Sequence, residues 1–418
     1  MNDKIGNCRW RIVALLFFAT TINYIDRQVI GILKPFISSD LGWSESDYGH
    51  IVTAFQIAYA VGLLMTGRFL DKLGTRMGYL WAVIVWSVAA MAHAIARGVG
   101  SFALARAILG IGESANFPAA VKSVAEWFPK KERAFATGLF NSGSTVGAII
   151  APIIVSGVTL VLGWRWAFIV TGALGFLWII FWIAFYHAPS KHPKLSATEF
   201  EYIHQDTDNS VSDQNMRWAE LLRHKQTFVL CSTRFISDWI WWFFLFWVPD
   251  FLNKTQHINI KELVLPLIII YAVSSIGGIG GGWISSQFIK SGKGIDFSRK
   301  TAILICALWV LPVMLVSQIQ NLWIVVFLIA FAAAGHQGWA ANLFSLISDI
   351  YPKKAVGSMM GLSGFAGAVG GALSASFVGF LLEKTNSYFI IFTIASTMYL
   401  INWLIIKLFI PEVKPIKI

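Results

Sequence analysis

Six ionisable side chains fall inside stretches that are otherwise apolar. They are Asp26 and Arg27 in "NYIDR", Arg106 and Glu113 in "ARAILGIGESANFPAA", and Arg234 and Asp238 in "STRFISDW". A charge at the centre of an isolated membrane helix costs about 2.5–3.5 kcal/mol on insertion scales, so each of the six must face protein or a watery cavity. Three acids and three bases cancel formally. A carboxylate walled by apolar groups can carry a proton at neutral pH where a solvated acid cannot. Arginine stays charged and presents a planar fork that fits a carboxylate. These are the parts of a site that binds protons and an organic anion. No nucleophile, base or metal constellation accompanies them, which argues against an enzyme. Cys8, Cys231 and Cys306 are odd in number and scattered, and suggest neither disulfide nor metal site.

Spacing limits which charges can meet. Asp26 and Arg27 are adjacent, about 100° apart around a helix, and cannot satisfy one another as residues three or four apart do. Arg106 and Glu113 share a helix face, but seven residues separate them by roughly 10 Å along the axis. The expectation is an Asp26–Arg106 contact across helices, leaving Arg27 for a ligand anion and Glu113 to exchange a proton; the alternative is a static network of all four. Arg234 and Asp238, four apart, can pair locally as a structural ion pair.

The elements that must hold these residues are membrane spans. The chain has 418 residues, 56% hydrophobic and 13% charged, with 19 Trp and 32 Phe. Soluble domains carry about 25% charged residues, so this is an integral membrane protein. Twelve apolar stretches are long enough to cross a bilayer, near residues 11–34, 47–68, 78–96, 101–123, 134–160, 164–186, 227–251, 262–289, 299–319, 321–348, 355–382 and 387–410. The only long polar interval, 187–226, sets domains at 1–190 and 227–418 with a cytoplasmic linker at 191–226. The basic start "MNDKIGNCRWR" runs into the first span without a small-residue cleavage site, so that span is expected to be retained.

A net charge of +11 would suggest nucleic acid in a soluble protein. Here 24 Lys and Arg residues fall in segments assigned to the cytoplasmic side, against six opposite them (Lys34, Arg97, Arg165, Lys254, Lys261 and Lys384). The charge is a topology signal that puts both termini in the cytoplasm of a cell (inner) membrane protein, and it removes the reason to expect a nucleic-acid partner.

An internal repeat divides the chain in two. "EWFPKK" and "DIYPKK" lie 223 residues apart, and the same offset relates Gly112 to Gly335, Gly138 to Gly361, Val146 to Val369 and Gly147 to Gly370. Two parallel six-helix repeats with the ligand site midway between them resemble the major facilitator architecture. The expected fold class is therefore all-α integral membrane, with twelve transmembrane helices in two six-helix bundles. The loop "GRFLDKLGTR" matches that superfamily's signature at Gly67, Asp71, Lys72, Gly74 and Arg76, with the glycines permitting close approach and a tight turn and Asp71 able to accept bonds from amides or basic side chains. The second half has Ser285 and Ser286 where an acid would stand.

"NYIDR", "RAILGIGESANFP", "WWFFLFWVPDFL" and "GHQGWAANLFSLISDIYPKKAVGSMMG" are similar to the anion:cation symporter family of that superfamily, and most similar within it to the hexuronate transporters. The resemblance covers nearly the whole chain. It implies a symporter that imports a sugar acid, glucuronate or galacturonate, with protons as the coupling ion and no cofactor. It further implies proton sites at Asp26 and Glu113 and substrate acid binding by Arg27, alongside Arg106, Tyr24 and Tyr59. The repeat sets His336 opposite Glu113, either as a satisfied core histidine or as a donor to sugar hydroxyls or the carboxylate. Gln337, Asn342 and Asn141 are further sugar-hydroxyl candidates. Ser144 stands where sugar-acid relatives can carry glutamine, so contacts on that wall do not transfer.

The expected partners are a small sugar acid and the lipid bilayer, and the protein is expected to be a monomer. An aldonate such as galactonate, organic-phosphate exchange and a transporter-like sensor are the alternatives. The abundant Trp and Phe are assigned to lipid and helix contacts, and the glycines of the fourth and eleventh spans to close helix packing.

Overall fold

The computed structural model describes residues 6–205 and 218–416, without the side chains of residues 130, 131, 133–135, 218, 219, 353, 354 and 357. Lys4, Lys130, Lys131, Arg133, Arg217, Lys353, Lys354 and Lys417 of the charge count therefore lie outside the description. Every regular element among the described residues is helical. The helices are α1 (Cys8–Leu41), α2 (Glu45–Ala92), α3 (Val99–Glu113), α4 (Asn116–Trp127), α5 (Lys130–Leu162), α6 (Trp164–Phe185), α7 (Ala197–His204), α8 (Trp218–Leu221), α9 (Lys225–Gln256), α10 (Ile260–Lys290), α11 (Ile295–Val310), α12 (Leu322–Ile350), α13 (Lys353–Thr385) and α14 (Phe389–Phe409), with 3-10 turns at Pro189–Lys191 and Leu311–Gln318.

All twelve expected stretches are helical, but four are joined or broken in ways that follow from single residues. The second and third share α2, which turns at Gly74 with φ 75° and ψ 158°; that region is open essentially to glycine alone. The fourth is split into α3 and α4. Pro118 has no N–H to offer the Ser114 carbonyl one turn back, and its ring crowds that carbonyl, so the helix breaks between Glu113 and Asn116. The ninth tightens to 3-10 geometry from Leu311, with Pro312 at its start. By length and composition, nine of the described helices could cross a membrane. The polar residues of α1 and the break between α3 and α4 keep the first and fourth stretches out of that set, and α2 holds two.

Residue contacts group 1–33 with 57–212, and 34–56 with 213–418. Within the first group α5 packs on α6 and α4. An aromatic column lines α6: Trp178 and Trp182 stack at 4.9 Å, and Trp182 and Tyr186 at 3.9 Å. Their indole N–H groups donate to Leu15 O at 2.8 Å and Arg76 O at 2.9 Å, so burial leaves no donor wanting. The amino end of α1 is capped from far along the chain. Glu199 of α7 accepts from the backbone N–H of Cys8 and Arg9, each at 3.1 Å, and from Arg9 Nη1 at 3.1 Å, neutralising the positive end of the helix dipole.

Within the second group α9 packs on α13 and α14, and α12 on α10 and α11. Buried amides tie helices together: Asn402 Nδ2 donates to Thr233 O at 3.1 Å. Asp349, the acid of "DIYPKK", pairs with Arg299 at 2.7 Å, and Arg299 Nη1 donates to Ser285 at 2.9 Å. Arg299 lies 223 residues after Arg76, so the repeat carries an arginine at this position in both halves.

Candidate functional site

In the first group, the middle of α1 delivers Asn23, Tyr24, Asp26 and Arg27 into contact with the end of α3 and with α2. Arg27 donates through Nε to Glu113 Oε2 at 2.9 Å, and its Nη2 lies 2.8 Å from the same oxygen and donates to Asn23 Oδ1 at 3.2 Å. The guanidinium lies 4.9 Å from the ring centres of both Tyr24 and Tyr59. Two rings at this distance hold a guanidinium by cation–π attraction. Asp26, Arg27, Arg106 and Glu113 are all at most 3% exposed.

This pairing corrects the expectation that Asp26 would answer Arg106. Arg27 is engaged by Glu113. Arg106 donates through Nη2 to the backbone carbonyl of Arg27 at 3.4 Å, supporting that turn of α1 rather than bonding the Asp26 carboxylate. Neither Asp26 oxygen accepts a hydrogen bond among the described residues, and Glu113 Oε1 accepts none. Glu113 and Arg106 act on Asp26 electrostatically, Arg106 being the attracting charge, and the Thr171 hydroxyl of α6 is the polar group that faces it. The cause is the rotation already implied by adjacency: with Arg27 turned to Glu113, Asp26 points about 100° away.

Two further residues belong to this cluster. Asn23 is 1% exposed and orients Arg27; only its four-residue spacing from Arg27 could have marked it. His93 is fully buried, stacked on Phe168 at 4.9 Å, with Nδ1 2.8 Å from Ala89 O and with Arg106 acting on it electrostatically. Asn141, by contrast, sits on the exposed side of α5. It is six residues, roughly 9 Å along the helix, from Gly147, the residue that backs onto Thr21 and Tyr24.

The signature loop follows its sequence closely. Asp71 Oδ1 accepts from Lys122 Nζ of α4 at 2.6 Å, and the same ammonium donates to Leu70 O at 3.2 Å. Gly74 makes the turn, and Arg76 Nη2 donates to Ile183 O of α6 at 2.9 Å. Gly67 is exposed, with open space around its Cα. Glu126, the acid of "EWFPKK", accepts from Thr75 at 2.5 Å and from Tyr186 at 2.7 Å.

In the second group, His336 Nδ1 lies 2.5 Å from the Tyr399 hydroxyl, and its ring stacks on Trp241 at 4.8 Å and 8°. Gln337 is half-buried on the next position of α12. Asn342 spends both amide hydrogens on backbone carbonyls, Gly281 O at 2.8 Å and Gly338 O at 2.9 Å, and so clamps α12 to α10. Arg234 and Asp238 pair at 2.6 Å.

Twelve helical stretches, buried acids and arginines and a loop turned on a glycine define a multi-pass membrane transporter. The Major Facilitator Superfamily model matches residues 16–374 and 291–417, and the chain belongs to that superfamily; it is a transporter and not an enzyme. It is 31% identical over 407 residues to the hexuronate transporter of Escherichia coli (strain K12), covering 96% of this chain and 94% of that protein. It is 33% identical over 309 residues to the galacturonate transporter of Dickeya chrysanthemi, covering 73% and 90%. With the D-galactonate transporter of Escherichia coli O6:H1 it shares 30% identity over 91% of this chain and 90% of that one. In fold it is similar to the D-xylose-proton symporter, with a TM-score of 0.76 at 16% identity over 98% of this chain and 99% of that one. A bacterial homologue of the human lysosomal transporter Spinster gives 0.78 at 16% identity, over 97% of each chain.

Proposed function

We propose that this protein is a proton-coupled symporter that imports a sugar acid, most specifically a hexuronate such as galacturonate or glucuronate, by alternating access. It works as a monomer in the cell's inner membrane with both termini cytoplasmic. The observation that carries the reading is the Arg27–Glu113 pair, with the guanidinium against two tyrosine rings. Glu113 occupies the arginine fork as a substrate carboxylate would. A proton on Glu113 releases the fork for the incoming acid, and departure of the acid returns the fork to Glu113 and the proton to water. Substrate and proton are thereby linked through one guanidinium. Asp26, beside the pair with its oxygens unbonded, is the second proton site. Gln337, His336 and Asn141 are assigned to sugar hydroxyls, with Asn342 able to offer only its Oδ1.

Uptake by the purified protein in liposomes tests the reading. An inward proton gradient should drive galacturonate accumulation, and unlabelled glucuronate should compete better than galactonate or a sugar phosphate. Accumulation indifferent to the gradient overturns the coupling. Stronger competition by galactonate moves the substrate to the aldonates, the second reading favoured by the galactonate-carrying relative.

A further inference from the structure

Lys34, near the carboxyl end of α1, is 0% exposed. Its ammonium lies 2.5 Å from Asp250 of α9 and 2.6 Å from Glu45 in the first turn of α2, over the rings of Trp247 at 4.5 Å and Tyr48 at 5.1 Å. Lys254 closes the figure, bonding Glu45 and lying 3.3 Å from Asp250, while the Tyr388 hydroxyl donates to Asp250. Two lysines and two carboxylates form a neutral ring. All its members fall in the group that contains 34–56 and 213–418, although Lys34 and Glu45 belong to the first half of the sequence.

A buried ion cluster is weak as a source of stability, because desolvation offsets most of the attraction. This ring has another property. It divides along one line into Lys34 with Glu45 and Asp250 with Lys254, and both of those pairs are already in contact. Parting the two segments therefore leaves no net charge on either. The polar contacts in the remainder of the seam are uncharged. Thr53 Oγ1 donates to Ala372 O at 3.0 Å and lies 2.7 Å from Ser376 Oγ, and Tyr48 donates to Phe246 O at 2.9 Å. Gly49 and Gly379 bring the backbones of α2 and α13 together: a Cβ on Gly49 would lie 2.7 Å from Ala375 O, and one on Gly379 2.6 Å from Glu45 O. Aromatic rings also meet across the seam edge to face, Tyr48 with Trp247 at 4.9 Å and Phe55 with Phe246 at 6.4 Å, and no further charge crosses it in these contacts.

We propose that the ring of Lys34, Glu45, Asp250 and Lys254 is a latch that shuts one end of the translocation path and splits into its two neutral pairs in every transport cycle. The inference rests on the alternating-access reading above. In a variant with Cys8, Cys231 and Cys306 replaced by serine, Thr53→Cys with Ser376→Cys should form a disulfide under mild oxidation. Uptake should then stop and should return on reduction; undiminished uptake with cross-linking complete by mass spectrometry overturns the latch. Thiol labelling needs no substrate. In intact cells, Lys34→Gln and separately Asp250→Asn should raise the rate at which a membrane-impermeant maleimide modifies Thr53→Cys by at least about fivefold, the low end of coupling between conformational states. An unchanged rate in both variants overturns it. A reduced protein that fails to take up galacturonate counts against the functional reading alone, because the labelling result still decides the latch.

Discussion

Arg27 and Glu113 are held 2.8 Å apart, from helices 86 residues distant in sequence, with neither side chain more than 4% exposed. Removing one partner strands the other. Arg27→Ala should destabilise the fold by about 3–5 kcal/mol, the usual cost of orphaning a buried charge, and should bring uptake to background. Glu113→Gln keeps the shape and a hydrogen-bonding group, so exchange of internal for external substrate should persist while gradient-driven accumulation is lost. Thermal melting in detergent and counterflow in liposomes separate the two outcomes. Full accumulation by Glu113→Gln at neutral pH removes Glu113 from coupling.

The sign of the pH dependence follows from the same competition. Protonating Glu113 frees the fork, so substrate binding to the wild type should tighten as pH falls. In Glu113→Gln it should lose most of that dependence, and Asp26→Asn should retain it in part. Titration of binding by calorimetry between acid and neutral pH checks this, and weaker binding at low pH would contradict the mechanism.

Asn342 and Gln337 lie on the same helix but are expected to fail differently. Asn342→Ala takes two buried donors from backbone carbonyls of α10 and α12, so melting should fall by an amount equal to about 1–3 kcal/mol, with KM nearly unchanged. Gln337→Ala should raise KM several-fold and leave melting nearly unchanged. The reverse pattern would exchange their roles.

The signature loop separates conformation from charge. Gly74→Ala forces a side chain into a glycine-only backbone region and should cost about 1–3 kcal/mol. Asp71→Asn loses a pair whose carboxylate side chain is 75% exposed, worth at most about 1 kcal/mol. Its melting should stay near wild type, so any loss of uptake in that variant reports on the transport cycle rather than on folding.

How legible this was in the sequence depends on the kind of question. The twelve spans were legible because bilayer thickness fixes a length and apolar composition marks it. The break at Glu113 had a visible cause in Pro118, and the turn at Gly74 in the signature loop. The partner of Arg27 was not legible. Asp26 and Arg27 have the same depth in one helix, and which of them meets α3 depends on how α1 is rotated, a quantity that spacing within a helix does not contain. Lys34 and Asp250 were hidden for a related reason: each sits near the end of its apolar stretch, where a charge reads as a solvated edge, and only the packing of α1, α2 and α9 reveals that they are buried together.

The cap on α1 bears on how the protein is made. The backbone donors of Cys8 and Arg9 end on Glu199, 191 residues after Cys8. At about 5–20 residues per second of synthesis, the first helix waits roughly 10–40 s for its cap. During that interval its amino end stays unfinished, so whichever chaperone, lipid surface or insertion machinery meets the nascent chain finds a helix terminus still open to other acceptors.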